Sequence, residues 1–213
     1  MDGNNIMMKN DHLRLLSESL ASEGIATLRY NKRTVPANGN PIDESKLRFE
    51  DFVHDATFLL SILKTDKRFD KVAILGHSQG ALIATLAAQR VKADRLFLVA
   101  GPGEPISLTL IRQVSVNGEQ IGNEAKIIVD SLMAGHRVTK VHPMLITVFR
   151  PSVQDFMISW MKYDPAKELQ LTKAKKVIIQ GETDIQVRKE DAMMLKRANP
   201  RADVHFISDM NHI

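Results

Sequence analysis

The stretch Val72-Ala73-Ile74-Leu75-Gly76-His77-Ser78-Gln79-Gly80-Ala81-Leu82-Ile83 constrains the fold more than any other part of the chain. A short apolar run, of the length and hydrophobicity of a buried strand, is followed within five residues by an alanine-rich helical sequence. A chain that leaves a strand and enters a helix this abruptly belongs in an α/β arrangement, where each parallel strand is followed by a covering helix. Between the two lies G-x-S-x-G. A serine at the apex of such a turn is lifted above the sheet in a strained backbone conformation. Gly76 and Gly80 are expected to remove side chains that would otherwise clash there. The helix that follows points its amino end at the serine, where its dipole favours developing negative charge. The backbone N–H of Gln79 is then one expected donor to an oxyanion.

The same alternation runs through much of the chain. Residues 9–23 place Leu13, Leu16 and Leu20 on one helical face, with Gly24 as the stop. Ile25–Tyr30 reads as a strand, residues 49–64 as an amphipathic helix, and Lys71–Leu75 as a strand buried on both faces. Gly80–Arg90 reads as a helix and Arg95–Val99 as a buried strand; Lys175–Gln180 and Asp203–Ile207 are strands separated by a helix over residues 189–198. This pattern predicts a mostly parallel sheet with helices on both faces. Residues 104–165 interrupt it with a helical, Met- and Phe-bearing segment punctuated by prolines. The expected organisation is a core over residues 1–103 and 166–213, with a cap or lid inserted over 104–165. Plain helical packing with no lid role is the alternative for that segment.

A serine hydroxyl becomes a nucleophile only beside a base, and the base needs a carboxylate to orient it. In a parallel sheet both partners belong just beyond the carboxyl ends of strands. The strand ending at Gln180 is followed by Gly181-Glu182-Thr183-Asp184, and the strand ending at Ile207 by Ser208-Asp209-Met210-Asn211-His212. Asp184 is the expected acid and His212 the expected base. Glu182 competes for the acid role, and Asp209 reads as a turn-former. Of the other histidines, His12 and His54 fall in predicted helices, His205 in a strand, and His136 and His142 in the inserted segment. His77 sits inside the turn itself, where its side chain is expected to point away from the serine.

Composition removes other classes of function. The chain has no cysteine, which excludes disulfides, thiolate metal sites and a cysteine nucleophile, and fits a cytoplasmic protein. No His/Asp/Glu cluster has metal-ligand spacing, and neither a dinucleotide fingerprint nor a P-loop is present, so neither metal nor cofactor is expected. The net charge is +4, but the basic residues are scattered and aromatics make up only 5% of the 213 residues, which argues against a nucleic-acid surface. No apolar run approaches the length of a membrane span, and the start of the chain does not read as a secretory signal.

Together the motifs resemble the α/β-hydrolase superfamily, and more narrowly its cap-bearing esterase, lipase and serine-peptidase-like members. GHSQG is similar to the nucleophile elbow, GETDIQV to the acid loop, DMNHI to the loop that carries the base, and IATLRYNKR to the strand and basic turn ahead of the elbow. The resemblance implies acyl transfer to water through a covalent acyl-serine, with Ser78, Asp184 and His212 as the triad and no cofactor. It also implies eight strands and a final helix, whereas about five strands can be placed here. The chain is therefore expected to be a piece of a longer protein, with Asp2-Gly3-Asn4 as the tail of the loop that supplies a second oxyanion donor; an unusually small sheet is the alternative. The expected partner is a small or medium acyl ester, with Met133, Phe156, Met157 and Trp160 as candidates for its pocket or, equally, as cap packing. A non-catalytic binding or scaffold protein of the same fold remains open, as do acyl transfer to another acceptor and aminopeptidase activity.

Overall fold

The computed structural model describes residues 10–35 and 42–212. It divides into two compact units, one over the first 42 residues and one over Asp43–His212. Asp2-Gly3-Asn4 lies outside the described residues.

In the first unit, helix α1 (His12–Ser22) ends where the sequence places its stop. Gly24, at φ 74°, donates to Ala21 O, and Ile25 N donates back to Leu20 O at 2.9 Å. This is a left-handed glycine closure that satisfies the last carbonyls of the helix. The strand expected over Ile25–Tyr30 does not form. These residues carry no ladder, and Ile25 and Leu28 are 51% and 46% exposed. β-Rich composition makes a strand only where a neighbouring strand pairs with it, and no described strand pairs with these residues.

The second unit contains a four-stranded parallel sheet in the order β1-β2-β3-β4, formed by Ala73–His77, Arg95–Val99, Lys175–Gly181 and Asp203–Ile207. Helix α2 (Phe49–Thr65) precedes β1, and α3 (Gln79–Arg90) connects β1 to β2. Helices α4 (Ile106–Ser115), α5 (Glu119–Met133), α6 (Ile146–Phe149), α7 (Gln154–Trp160) and α8 (Pro165–Leu171) all lie between β2 and β3, and α9 (Lys189–Ala198) joins β3 to β4. Four strands are therefore described where five were expected. The first of them also runs two residues further than its apolar pattern, because Gly76 and His77 pair with Leu98 and Val99. Nor is β1 buried on both faces. It is an edge strand among the described residues, with Leu75 40% exposed.

The core explains why helix and sheet sequences look as they do. Leu96, Leu98 and Ile178 pack from β2 and β3 against Ala81, Ala84 and Ala88 of α3, with Leu169 of α8 and Ala192 and Leu195 of α9 completing the cluster. The three alanines are spaced three and four residues apart, so they share one face of α3. Their small side chains let that face approach the sheet closely. A second cluster is drawn wholly from residues 106–161, with Leu132, Leu145 and Phe149 fully buried. A third joins α2 to α3 through Phe49, Phe52, Val53, Leu82 and Leu86, with Phe156 and Trp160 packed against it.

Polar contacts fasten the segment between β2 and β3 to the 3-10 turn Glu44–Lys46 that precedes α2. Glu44 accepts from Arg150 Nε and Nη2 at 2.7 and 2.6 Å and from Ser152 Oγ at 2.5 Å. Arg150, and after it Ser152, holds the Glu44 carboxyl down at about 2, against a small opposing effect of burial. A carboxyl depressed in the folded state adds stability above its unfolded pKa, and this is lost as pH falls through the folded value. Glu44→Gln should therefore cost about 1 kcal/mol or less at neutral pH, because solvent screens the pair. In urea melts the difference from wild type should shrink between the ordinary carboxyl value of 4.5 and about 2. A difference that stays constant across that window contradicts this assignment.

Candidate active site

Ser78 sits at the end of β1 with φ 54° and ψ −124°, immediately before α3. Three ladder-like bonds continue past the strands and set the rim of the sheet: Ser78 N to Val99 O at 2.9 Å, Ala100 N to Ile179 O at 2.9 Å, and Glu182 N to Ile207 O at 3.0 Å. The positive φ at Ser78 is the strain that a sharp strand-to-helix turn requires of a non-glycine residue. Only one of the two flanking glycines is sterically required. A Cβ on Gly76 would fall inside contact distance of the Gly80 carbonyl and of Ala81 N, whereas a Cβ on Gly80 would meet nothing within 4 Å. The expectation that both glycines avoid clashes is thus corrected: Gly80 contributes its carbonyl to the tight spot and needs no open space of its own. Gln79 heads α3, so its N–H lies in the first turn, at the positive end of the helix.

Asp184 lies three residues past the end of β3, and its side chain is fully buried. Oδ1 accepts from Gln186 N and Val187 N, each at 2.9 Å. Oδ2 accepts from Gln180 Nε2 at 3.3 Å and lies 2.8 Å from His212 Nδ1. Four donors thus surround one carboxylate and fix its plane. Gln180 is a contributor that the sequence reading missed. It is fully buried on β3, and its amide also donates to Val187 O at 2.8 Å, so it ties the strand to the turn that carries the acid. Its Oε1 is buried without a partner, a cost of about 1–3 kcal/mol. The signal was present: a glutamine closing the run Lys-Val-Ile-Ile, four residues before the acid.

Glu182 occupies a different place. It accepts from Lys189 Nζ at 2.6 Å and from Ser208 Oγ at 3.2 Å, and Lys189, then Ser208, holds its carboxyl below the usual range. It joins the acid loop to the base loop from the exposed side. The base loop is docked from beneath as well. Thr183 N donates to Met210 O at 3.2 Å, and a side chain at Gly181 would collide with that same carbonyl, so glycine at 181 is what lets the loop lie on the end of β3. Asp209 turns the chain at φ 58°.

His212 completes the arrangement. Its Nε2 lies 3.0 Å from Ser78 Oγ while its Nδ1 faces Asp184. A carboxylate can only accept, so Nδ1 carries the hydrogen and Nε2 presents a lone pair to the serine hydroxyl. The side chain of His212 is only 10% exposed. The three residues expected from the sequence therefore meet, in the relation that permits proton transfer from Ser78 to His212 with Asp184 orienting the ring. His77, expected to point away from the serine, reaches the base loop. Its Nε2 lies 2.7 Å from the His212 carbonyl, and the two rings are 4.9 Å apart. The strand-end geometry that aims it there has no signature in the sequence.

Of the four residues expected to line a substrate pocket, Phe156, Met157 and Trp160 share the 106–161 cluster, and Met133 is not part of it. Met133 lines a groove of about 410 Å³ with Leu108, Ile111, Val129 and Met161. Phe156 and Trp160 instead pack with Phe49, whose ring stacks on Trp160 at 5.5 Å, and Met157 is buried in the 106–161 cluster. Among the described residues there is no group of three or more potential metal ligands, and no helix is long and apolar enough to cross a membrane.

Known proteins similar to this chain identify its family and fold. The model of a hydrolase family described as serine aminopeptidase, S33, matches residues 12–212. Esterase EstD of Thermotoga maritima is 28% identical over 206 residues, covering 93% of this chain and 48% of that protein, so the chain spans about half the length of this relative. Among solved structures, the ferulic acid complex of Est1E from Butyrivibrio proteoclasticus superposes with a TM-score of 0.63 at 14% identity, covering 96% of this chain and 76% of its own. The α/β-hydrolase GrgF from Penicillium sp. sh18 gives 0.62 at 16% identity, covering 94% and 77%.

The elbow geometry separates its two glycines experimentally. Gly76→Ala should destabilise by about 1–3 kcal/mol, the scale of forced overpacking. Gly80→Ala should be neutral or stabilise by up to about 1 kcal/mol through helix propensity. Urea unfolding measures both, and equal losses in the two variants would contradict the contacts described.

Proposed function

The chain has the α/β-hydrolase fold and belongs to the serine aminopeptidase S33 family, and from that premise we propose that it is a serine hydrolase cleaving carboxylic esters through an acyl-serine intermediate. The observation that carries the proposal is the unbroken path from Ser78 Oγ to His212 Nε2 at 3.0 Å and from His212 Nδ1 to Asp184 Oδ2 at 2.8 Å. His212 takes the Ser78 proton as Oγ attacks the ester carbonyl carbon. The π electrons move onto the carbonyl oxygen, which is stabilised by the Gln79 N–H and the dipole of α3. Collapse of the tetrahedral adduct breaks the C–O bond to the alcohol, which leaves with the proton from His212. Water then repeats the sequence on the acyl-serine, giving the acid and restoring Ser78. Asp184 keeps the imidazole in the Nδ1–H tautomer and stabilises the imidazolium formed on the way.

Residues 104–165 act in this proposal as the cap. Support comes from the apolar cluster drawn only from residues 106–161, which gives the segment packing of its own. The groove beside Met133 is lined also by Lys126, Asp130, Lys162, Asp164 and Lys167 and by none of Ser78, Asp184 and His212, so the acyl group, small or medium in this reading, is not assigned to it. Phe156 and Trp160 fasten the cap to Phe49 of α2, and Met157 packs within it. A second reading uses the same triad to release the amino-terminal residue of a peptide, and it is favoured by the description of the family rather than by any contact of this chain.

A fluorophosphonate probe tests the nucleophile directly. Wild type should be labelled at Ser78, and Ser78→Ala should lose labelling and reduce kcat/KM on a p-nitrophenyl ester by about ten-thousandfold or more. Labelling that persists in Ser78→Ala rejects the assignment. Aminoacyl p-nitroanilides run beside the ester decide between the two readings by which kcat/KM is larger.

A further inference from the structure

The side chain of His212 is held at both nitrogens, by Ser78 and by Asp184, but a ring is only as well placed as the backbone that bears it. Residue 212 lies five positions beyond the end of β4, on a loop that turns at Asp209 with φ 58°. The acid loop holds this segment at Met210 and Ser208. At His212 itself the main chain is reached from a different strand: His77 Nε2 stands 2.7 Å from the His212 carbonyl oxygen.

We propose that His77 is a positioning residue, whose Nε2–H donates to the His212 carbonyl and holds the base at the nucleophile. The inference rests on the reading of Ser78 and His212 as nucleophile and base. A carbonyl has no hydrogen to give, so the bond requires the hydrogen on His77 Nε2. His77 is the last residue of β1 and Ser78 is the next residue in the chain. One short backbone segment thus carries both the nucleophile and the clamp on its base, and any movement of the elbow takes the His212 main chain with it. The two imidazoles lie 4.9 Å apart at an interplanar angle of 47°, so the rings also pack against each other. His77 touches no reacting atom. It acts through His212.

The test compares His77→Leu, which keeps bulk and loses the donor, with His77→Gln, whose side-chain amide nitrogen stands the same number of bonds from Cβ as imidazole Nε2. A misplacement of about 1 Å at a reacting pair costs about a hundredfold in rate. His77→Leu should accordingly lower kcat on a p-nitrophenyl ester and the rate of fluorophosphonate labelling by about ten- to a hundredfold with KM little changed. His77→Gln should restore most of the loss. Thermal melts of both variants establish that they fold. The bond is also read without turnover, as a slowly exchanging ¹⁵N–¹H resonance from His77 Nε2 in the wild-type protein. Equal rates in the two variants, a wild-type rate in His77→Leu, or a His77 Nε2 that carries no protected hydrogen would each overturn the inference. If wild type labels normally and these outcomes appear, His77 alone is misassigned. If wild type fails to label at all, the serine reading falls and this inference falls with it.

Discussion

The imidazole of His212 joins loops that follow three different strands, with Ser78 Oγ at 3.0 Å on one nitrogen and Asp184 Oδ2 at 2.8 Å on the other. Each bond has a tolerance of a few tenths of an ångström, so the positions of three loops must be fixed together. The parallel sheet does this. In parallel register the carboxyl ends of β1, β3 and β4 emerge on one rim, and backbone bonds from Ser78, Ala100 and Glu182 extend that register past the last strand residues. The site is assembled by ladder geometry before any side chain makes a specific contact.

Close approach of backbones supplies the remaining precision. Gly76 lets the elbow fold back on the Gly80 carbonyl, and Gly181 lets the base loop settle on the end of β3. Buried polar groups then lock what the glycines permit: four donors hold the Asp184 carboxylate, and Gln180 binds acid, strand and Val187 through one amide. Such groups are costly to bury, and Gln180 keeps an unpartnered oxygen as well. Burying Gln180 here fits a requirement for orientation at Asp184, since the same volume filled by an apolar residue would leave the carboxylate one donor short.

Much of this was readable in the chain. Arg95–Val99, Asp203–Ile207 and helix Lys189–Ala198 follow the sequence pattern to the residue; alternating burial along Arg95–Val99 and the helical spacing of Ala192 and Leu195 are imposed by the core, whereas Asp203–Ile207 is largely exposed and is fixed by its ladder to β3. Ser78, Asp184 and His212 were legible because each lies in the loop just beyond a strand end. What failed did so for physical reasons. Ile25–Tyr30 has strand-like composition, but a strand is a pairing and composition does not reveal partners. β1 gained Gly76 and His77 through ladder bonds that no apolar pattern encodes. Phe156 and Trp160 could equally line a pocket or pack on Phe49, and nothing in their spacing tells these apart. The direction of His77 depends on the backbone twist entering a strained turn, which only coordinates reveal.

The central claim is that His212 shares its two nitrogens between Asp184 and Ser78, with the hydrogen on Nδ1. Proton NMR of the folded protein measures this most directly, since a ring hydrogen bonded to a buried carboxylate resonates far downfield and exchanges slowly. Such a resonance is expected from His212 Nδ1–H, absent in Asp184→Ala and retained in Ser78→Ala. A spectrum without it, or one in which it survives removal of the Asp184 carboxylate, would contradict the arrangement.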